Sequence, residues 1–249
     1  MNAGAVLLLS GGMDSATCLW WMRKNLSDPI HALSIDYGQR HRVELESAAR
    51  LAARAGVAHK VVGLDLAAIG GSPLTDVGLA VPAAAEDRQV ATVVPFRNLL
   101  FASLAAAWAE TLSIAELYLA PVKDDYRSYR DCRRSFYDSL ERTLGLGATR
   151  EGVFGIHTPF VDKWKTEVVA LGLELGVPYE LTHTCYEGRR PACGMCDACT
   201  ERLAAFAANG VPDPLEYEPS AAHHQQDPGD QQKDPGDAAG GGRLLGKGH

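Results

Sequence analysis

Apolar, largely β-branched runs recur along the chain at Val6–Leu9, Ile30–Ile35, Lys60–Leu64, Leu117–Ala120 and Val153–Ile156, each ahead of a longer amphipathic stretch. Such strand–helix alternation predicts an α/β fold: a mainly parallel sheet with helices on both faces. Over 41–56 the apolar residues Val43, Leu45, Ala48, Ala49, Leu51, Ala52 and Ala55 form a broad helical stripe closed by Gly56, so this helix is expected to pack on the sheet. Asn98–Glu110 is apolar nearly all round, which predicts a central helix buried between layers. Residues 69–94 are rich in Gly, Ala and Pro with little periodicity, the pattern of an irregular insert.

From about Pro219 the chain turns to His-His-Gln-Gln, two Asp-Pro-Gly-Asp copies and a Gly-rich end. Too little apolar surface is available there to offset ordering entropy, so 217–249 is expected to be a disordered tail. Length supports one α/β domain with a small appendage. The expected division is a nucleotide-handling domain over 1–182, a cysteine-rich segment over 183–216 packed on it, and the tail. No apolar run approaches a bilayer span and the N-terminus lacks a basic flank, which predicts a soluble, cytoplasmic protein without a membrane partner. Lys and Arg number 24 against 31 Asp and Glu, a net charge of −7. No global basic field draws in nucleic acid, and stable nucleic-acid binding is not expected.

The chemistry begins where the first strand meets the first helix. Leu9-Ser10-Gly11-Gly12-Met13-Asp14-Ser15 makes a strand–glycine loop–helix unit, in which main-chain N–H groups and a helix N-terminus can hold a phosphate. A Walker loop would place a lysine before the Ser; Asp14 stands there instead. The plainer alternative is that Asp14 or Ser15 only caps the helix.

Further polar clusters follow later strands, at the strand C-termini where open α/β sheets bind ligands. Asp36-Tyr37-Gly38-Gln39-Arg40-His41 offers an acid, an aromatic ring and bases suited to a nucleotide or a planar substrate. Arg97 and Asn98 open the apolar helix, where they suit a carboxylate or phosphate, or simply cap and solvate the helix start. Asp124–Arg133 mixes carboxylates, tyrosines and arginines, fit to hydrogen-bond and stack a heterocycle. Lys165 opens a further helix and can aim an ammonium at a polyphosphate.

Cys185, Cys193, Cys196 and Cys199 supply the four thiolates of a closed tetrahedral zinc site. An iron–sulfur cluster and redox-active C-x-x-C chemistry are the alternatives. A closed four-thiolate site would pin the C-terminal turn without catalysing.

The string Ser-Gly-Gly-x-Asp-Ser resembles the pyrophosphate loop of the N-type ATP pyrophosphatases, the PP-loop superfamily. Taken in order, SGGMDS, DYGQRH, VPFRN, DxxxYxDCR, TPF…KTE and TCYEG…CGMCDAC resemble the 7-cyano-7-deazaguanine synthase (QueC) family from about Val6 to Arg202. That resemblance implies an adenine nucleotide alpha hydrolase-like, Rossmann-like fold and an ATP-dependent carbon–nitrogen ligase. Such an enzyme adenylates the carboxylate of 7-carboxy-7-deazaguanine, lets ammonia displace AMP, and dehydrates the amide to the nitrile preQ0 of queuosine biosynthesis.

The resemblance also implies roles. Leu9 to Ser15, with Asp36 and Tyr37, hold ATP and Mg²⁺; Asp14, Lys165 and Arg97 act in catalysis. Arg40, Arg97, Asn98, Asp125, Tyr129, Asp131 and Arg133 line the substrate side, the four cysteines bind structural Zn²⁺, and the assembly is a homodimer. Transfer to tRNA, as in thiolases or lysidine synthases, fits the acidic charge poorly.

The chain departs from the family pattern in two places. Phe96 stands where the family usually has glycine before Arg-Asn, and Ala120, Arg127, Ser128 and Arg130 change the segment around Asp125–Cys132. An alternative follows: a paralogue that adenylates a related deazaguanine carboxylate and stops at an amide, or joins it to another amine such as a protein N-terminus.

Overall fold

The computed structural model describes residues 3–81, 92–127, 129–149 and 154–219, with Arg127 by its backbone alone. Ser128 and residues 220–249 of the expected tail therefore lie outside the described residues, as do 82–91 of the insert and the beginning of the expected fifth strand. Tyr217 and Glu218 correct the expected start of the tail, because the Tyr217 hydroxyl donates to Asp213 Oδ2 at 2.6 Å and the Glu218 N–H to the Ala192 carbonyl at 2.9 Å.

β1 (Ala5–Leu8), β2 (Ile30–Asp36), β3 (Ala58–Gly63), β4 (Glu116–Tyr118) and β5 (Gly155–His157) form one sheet in the order β3-β2-β1-β4-β5. Every neighbouring pair is parallel, with Ala5 opposite both Ile30 and Glu116. The expected strands are present with ends shifted by at most two residues. The helices are α1 (Met13–Asn25), α2 (Val43–Ala55), α3 (Arg97–Leu112), α4 (Arg134–Gly147), α5 (Lys165–Glu174) and α6 (Asp197–Ala208).

β1 shows why both faces need helices. Its side chains alternate, so that Ala5 and Leu7 enter one core with Leu19, Met22, Val168 and Phe206, while Val6 enters the other with Leu117, Ala105 and Tyr137. The first core is closed by α1, α2, α5 and α6, the second by α3 and α4. The chain adds β2 and β3 on one side of β1, then crosses to add β4 and β5 on the other. A crevice opens beside β1 at this reversal, beyond the strand C-termini.

α2 buries Ser47, Ala48, Leu51, Ala52 and Ala55 and ends at Gly56, whose φ of 68° suits glycine. α3 corrects the expectation of a helix buried all round. Only Ala102, Ala105, Ala106 and Ala109 are fully buried, while Leu99, Leu100, Phe101, Leu104 and Trp108 are partly so. Alanine reads as apolar in sequence, yet here it serves as a narrow, small seam that lets an outer helix lie close on the sheet. The described part of the insert is irregular, as expected, and buries Ser72 and Leu74.

Candidate active site

β1 stops at Leu8, but Leu9 still donates to the Leu33 carbonyl at 2.8 Å before the chain turns into α1. Gly11 has φ 93°, and a Cβ there would overlap the Glu44 carbonyl oxygen and come within 2.9 Å of the Ala48 nitrogen. Glycine is thus required at 11 by the close passage of α2. Gly11 itself does not line the cavity, whereas Ser10, Gly12, Met13, Asp14 and Ser15 do. Hydroxyls brace the turn: Ser10 Oγ lies 3.0 Å from Ser15 Oγ and accepts from the Gly12 N–H at 3.2 Å. Ser15 Oγ donates to the Gly12 carbonyl at 3.2 Å. The first turn of α1 brings its unpaired N–H groups to this mouth, a ready anion site.

A charged cluster sits at the same end. Asp14 Oδ2 is 4.0 Å from Lys165 Nζ, and Lys165 donates to Glu201 Oε2 at 2.6 Å. Asp14 Oδ1 has no hydrogen-bond partner among the described residues. Burial pushes the Asp14 carboxyl up to about 7, with Asp125, Glu201 and Asp124 adding to the rise and Lys165 opposing it. Burial works against the Lys165 ammonium, but Asp14, Asp125 and Glu201 together hold its pKa above the ordinary lysine value. The lysine therefore stays cationic.

The other end of the cavity is aromatic and holds a buried guanidinium and a buried carboxyl. Arg97 opens α3 with its guanidinium carbon 5.7 Å from the centre of the Tyr129 ring, and Tyr37, Tyr186 and Phe101 complete the wall. Facing them is Glu44 from the first turn of α2, its carboxyl pushed up to about 8 by burial against the pull of Arg97 and a hydrogen bond from Gln39. Burial, with Arg97 second, lowers the neighbouring His41 to about 3, so the ring is neutral. The buried atoms His41 Nδ1, His183 Nε2 and Thr184 Oγ1 have no hydrogen-bond partner among the described residues. The two ends form one cavity of about 270 Å³ at the C-terminal edges of β1, β2 and β4.

Of the residues singled out from sequence, the loop apart from Gly11 lines this cavity, as do Tyr37, Arg97, Asn98, Asp125, Tyr129 and Lys165. Four others do not. Asp36 accepts from the Gly38 N–H and pairs with Arg42 at the surface. Arg40 turns to the insert, donating to the carbonyls of Asp76, Val77 and Leu79 at 3.3, 3.0 and 2.7 Å, and pairs with Glu187. Asp131 accepts from the Asn98 N–H at 3.3 Å and so caps α3. Arg133 donates to the Tyr126 carbonyl at 3.0 Å and holds that turn closed. Each is engaged by a neighbouring backbone group.

The departures at Phe96 and Arg130 leave the cavity untouched. Phe96 is 72% exposed and has φ 55°, so glycine in that place serves a left-handed backbone and not a ligand. Arg130 is exposed, and only Ala120 among the described replacements touches the cavity.

Sequence reading missed Glu44, Glu201, Tyr186, His183 and Thr184. Glu44 carried a signal: it precedes Ala48, Leu51, Ala52 and Ala55 by 4, 7, 8 and 11 positions, which places a carboxylate on the buried stripe of α2. Glu201 carried none, because its partner Lys165 lies 36 residues away on another helix.

Behind the charged end, Cys185, Cys193, Cys196 and Cys199 are buried with their sulfurs all within 4.8 Å of one another. The Cys193 and Cys199 sulfurs are 4.0 Å apart. Main-chain N–H groups of Cys193, Cys196 and Met195 point at sulfur over 3.4–3.5 Å, an arrangement that favours thiolates. Four sulfurs about 2.3 Å from a central ion would stand roughly 3.8 Å apart, so this donor set can hold a tetrahedral metal. Cys196 and Cys199 lie at the start of α6, the helix that carries Glu201, and His183 and Thr184 immediately precede Cys185.

Comparison with known proteins places this geometry in a family. The 7-cyano-7-deazaguanine synthase of Ectopseudomonas mendocina is 46% identical over 222 residues, covering 86% of this chain and 97% of that protein. The enzyme of the same name from Clostridium kluyveri is 42% identical with the same coverage. Among solved structures, NMN synthetase from Francisella tularensis aligns with 90% of this chain and 82% of its own at 16% identity and a TM-score of 0.47. Residues 4–210 match the family described as queuosine biosynthesis protein QueC, and the chain belongs to that family.

Proposed function

We propose that this protein makes 7-cyano-7-deazaguanine from 7-carboxy-7-deazaguanine, ammonia and ATP. What carries the reading is the 46% identity to a synthase of that name over 97% of the relative's length. The cavity supports it, since a phosphate-type loop and an aromatic, charged recess share one space.

A carboxylate is a poor electrophile until one of its oxygens becomes a leaving group. Ser10, Gly12, Ser15 and the N-terminus of α1 would hold the phosphates of ATP, which supplies that leaving group as AMP. Lys165 would stabilise negative charge on the departing pyrophosphate. The unpartnered Asp14 Oδ1 fits a hard cation, and Asp14 would hold Mg²⁺, which neutralises phosphate charge when bound. Ammonia then displaces AMP to give the amide, and a second activation with loss of water gives the nitrile. The four cysteines would hold Zn²⁺ in a structural role.

Residues 1–182 would carry most of this chemistry, while 183–216 adds His183, Thr184 and Tyr186 to the cavity wall and Glu201 to Lys165. Phe96 and Leu146 are apolar and 72% and 82% exposed, on the side of the sheet covered by α3 and α4, a surface suited to a second copy in a homodimer. No helix among the described residues is long and apolar enough to cross a membrane.

The test is incubation of purified protein with ATP, Mg²⁺, ammonium and 7-carboxy-7-deazaguanine. The expected result is the nitrile by mass spectrometry, with AMP and pyrophosphate released. Amide without nitrile points to the amide-forming alternative, and no ATP-dependent product overturns the proposal.

A further inference from the structure

Glu44 is the feature of the cavity that ATP chemistry does not explain. Its side chain is 14% exposed, and what remains exposed lines the cavity. The contacts of Oε1 are long, 3.4 Å to His41 Nε2 and 3.5 Å to Gln39 Nε2, and no cation of an arginine or lysine lies within ion-pair distance of the carboxylate among the described residues. A buried carboxylate in this condition costs stability, and an apolar residue of the same size would remove that cost. Its value therefore has to lie in something that enters the cavity.

Arg97 stands beside it, close enough to act on its charge, yet no carboxylate among the described residues is within ion-pair distance of the guanidinium. The recess thus presents an acceptor with spare lone pairs next to a fork of donors, walled by Tyr37, Tyr129 and Tyr186. The six-membered ring of a 7-deazaguanine offers the complement along one edge: O6 accepts, while N1–H and the 2-amino group donate. We propose that Glu44 is the specificity-determining residue of this site, taking the N1–H and 2-amino donors in a bidentate pair while Arg97 donates to O6. The proposal rests on the deazaguanine reading and names the group that would enforce it.

The two can be separated with 7-carboxy-7-deazaguanine and the same compound lacking its 2-amino group. Both are offered to the wild-type protein, Glu44→Gln and Glu44→Asp, with kcat/KM read from AMP release and affinity read by calorimetry. A site built around hydrogen-bond donors rejects a ligand that lacks one by at least about 100-fold. The wild type should show that ratio. Glu44→Gln, which trades one acceptor for a donor, should bring it within about tenfold, and Glu44→Asp should restore part of it.

If the wild type uses both compounds equally, or if Glu44→Gln keeps the wild-type ratio, Glu44 does not read this edge while the synthase reading stands. If the wild type neither binds nor turns over either compound, the synthase reading fails and takes the inference with it. Should Glu44→Gln not unfold cooperatively, the wild-type ratio and the Glu44→Asp ratio decide.

Discussion

Lys165 is held from two sides: its Nζ donates to Glu201 Oε2 at 2.6 Å and stands 4.0 Å from Asp14 Oδ2. The two carboxylates reach it from α1 and α6, so the position of the ammonium depends on two helices remote in sequence, Glu201 lying 36 residues beyond the lysine. With Glu201→Gln the lysine keeps a neutral acceptor but loses a charge that fixes it. ATP-dependent AMP release should fall roughly tenfold in kcat, with the KM for the deazaguanine unchanged, whereas Lys165→Ala should cost on the order of 100-fold or more. Steady-state kinetics on both variants checks this. A Glu201→Gln defect confined to the deazaguanine KM would show that Glu201 does not act through the lysine.

The same route ties the cysteine cluster to the active site. Cys196 and Cys199 start the helix bearing Glu201, and Cys185 follows His183 and Thr184, which line the cavity. Removing a metal from four thiolates leaves this segment without its central link. A strong chelator should release close to one equivalent of zinc, lower the Tm, and abolish AMP formation, although no metal ligand touches the cavity's phosphate loop. Cys196→Ser should behave alike. Elemental analysis alongside a thermal melt tests the claim, and full ATP turnover by metal-free protein would refute it.

Phe96 tests a different physical term. An L-residue at φ 55° is strained, and this one is 72% exposed, so little packing repays the strain. Phe96→Gly should stabilise the protein by about 0.5–1 kcal/mol and leave synthase activity in place. Urea unfolding measures the first and the nitrile assay the second. Destabilisation would mean that Phe96 is covered in solution, as a homodimer would cover it.

These residues also mark where sequence reasoning reaches its limit. The sheet was legible because β1 is apolar at every position and so demands a helix layer on each face, and the Ser10–Ser15 loop because its geometry is local. α3 was misread because alanine counts as apolar without filling space. Arg40 lies off the cavity because its partners are backbone carbonyls of a non-periodic insert, and nothing in a residue's type reveals which way a long side chain turns. Asp131 looked like a substrate ligand and is a cap supplied from a distant loop. Glu44 was hidden by a good local excuse: an acid in the first turn of a helix suits the dipole, and only the period of the buried stripe shows that it faces inward.

The pH dependence of stability follows from two buried carboxyls. Glu44 moves from 4.5 to about 8 and Asp14 from 3.8 to about 7 on folding. Because both folded values lie above the unfolded ones, the folded protein binds more protons between these limits. The stabilising contribution is complete below about pH 4 and is lost as pH rises through 7 and 8. The charges facing Glu44 are Arg97 from α3, which opposes the rise, and the neutral His41 and Gln39 from the loop before α2. Glu44→Gln removes one titrating group without changing its shape. The variant should therefore gain on the ligand-free wild type as pH rises from about 5 to 8, by roughly 2 kcal/mol or more, and the gap should stay flat above that. Asp14→Asn should show the same course, levelling about one pH unit lower. In the presence of 7-carboxy-7-deazaguanine the sign reverses for Glu44, because ring donors bind the ionised carboxylate: affinity of the wild type should tighten with pH up to about 8, and that of Glu44→Gln should not. Thermal melts with and without ligand across this range measure both effects. A wild-type minus Glu44→Gln difference that is constant with pH would show that Glu44 is ionised in the empty site and that burial does not govern its charge.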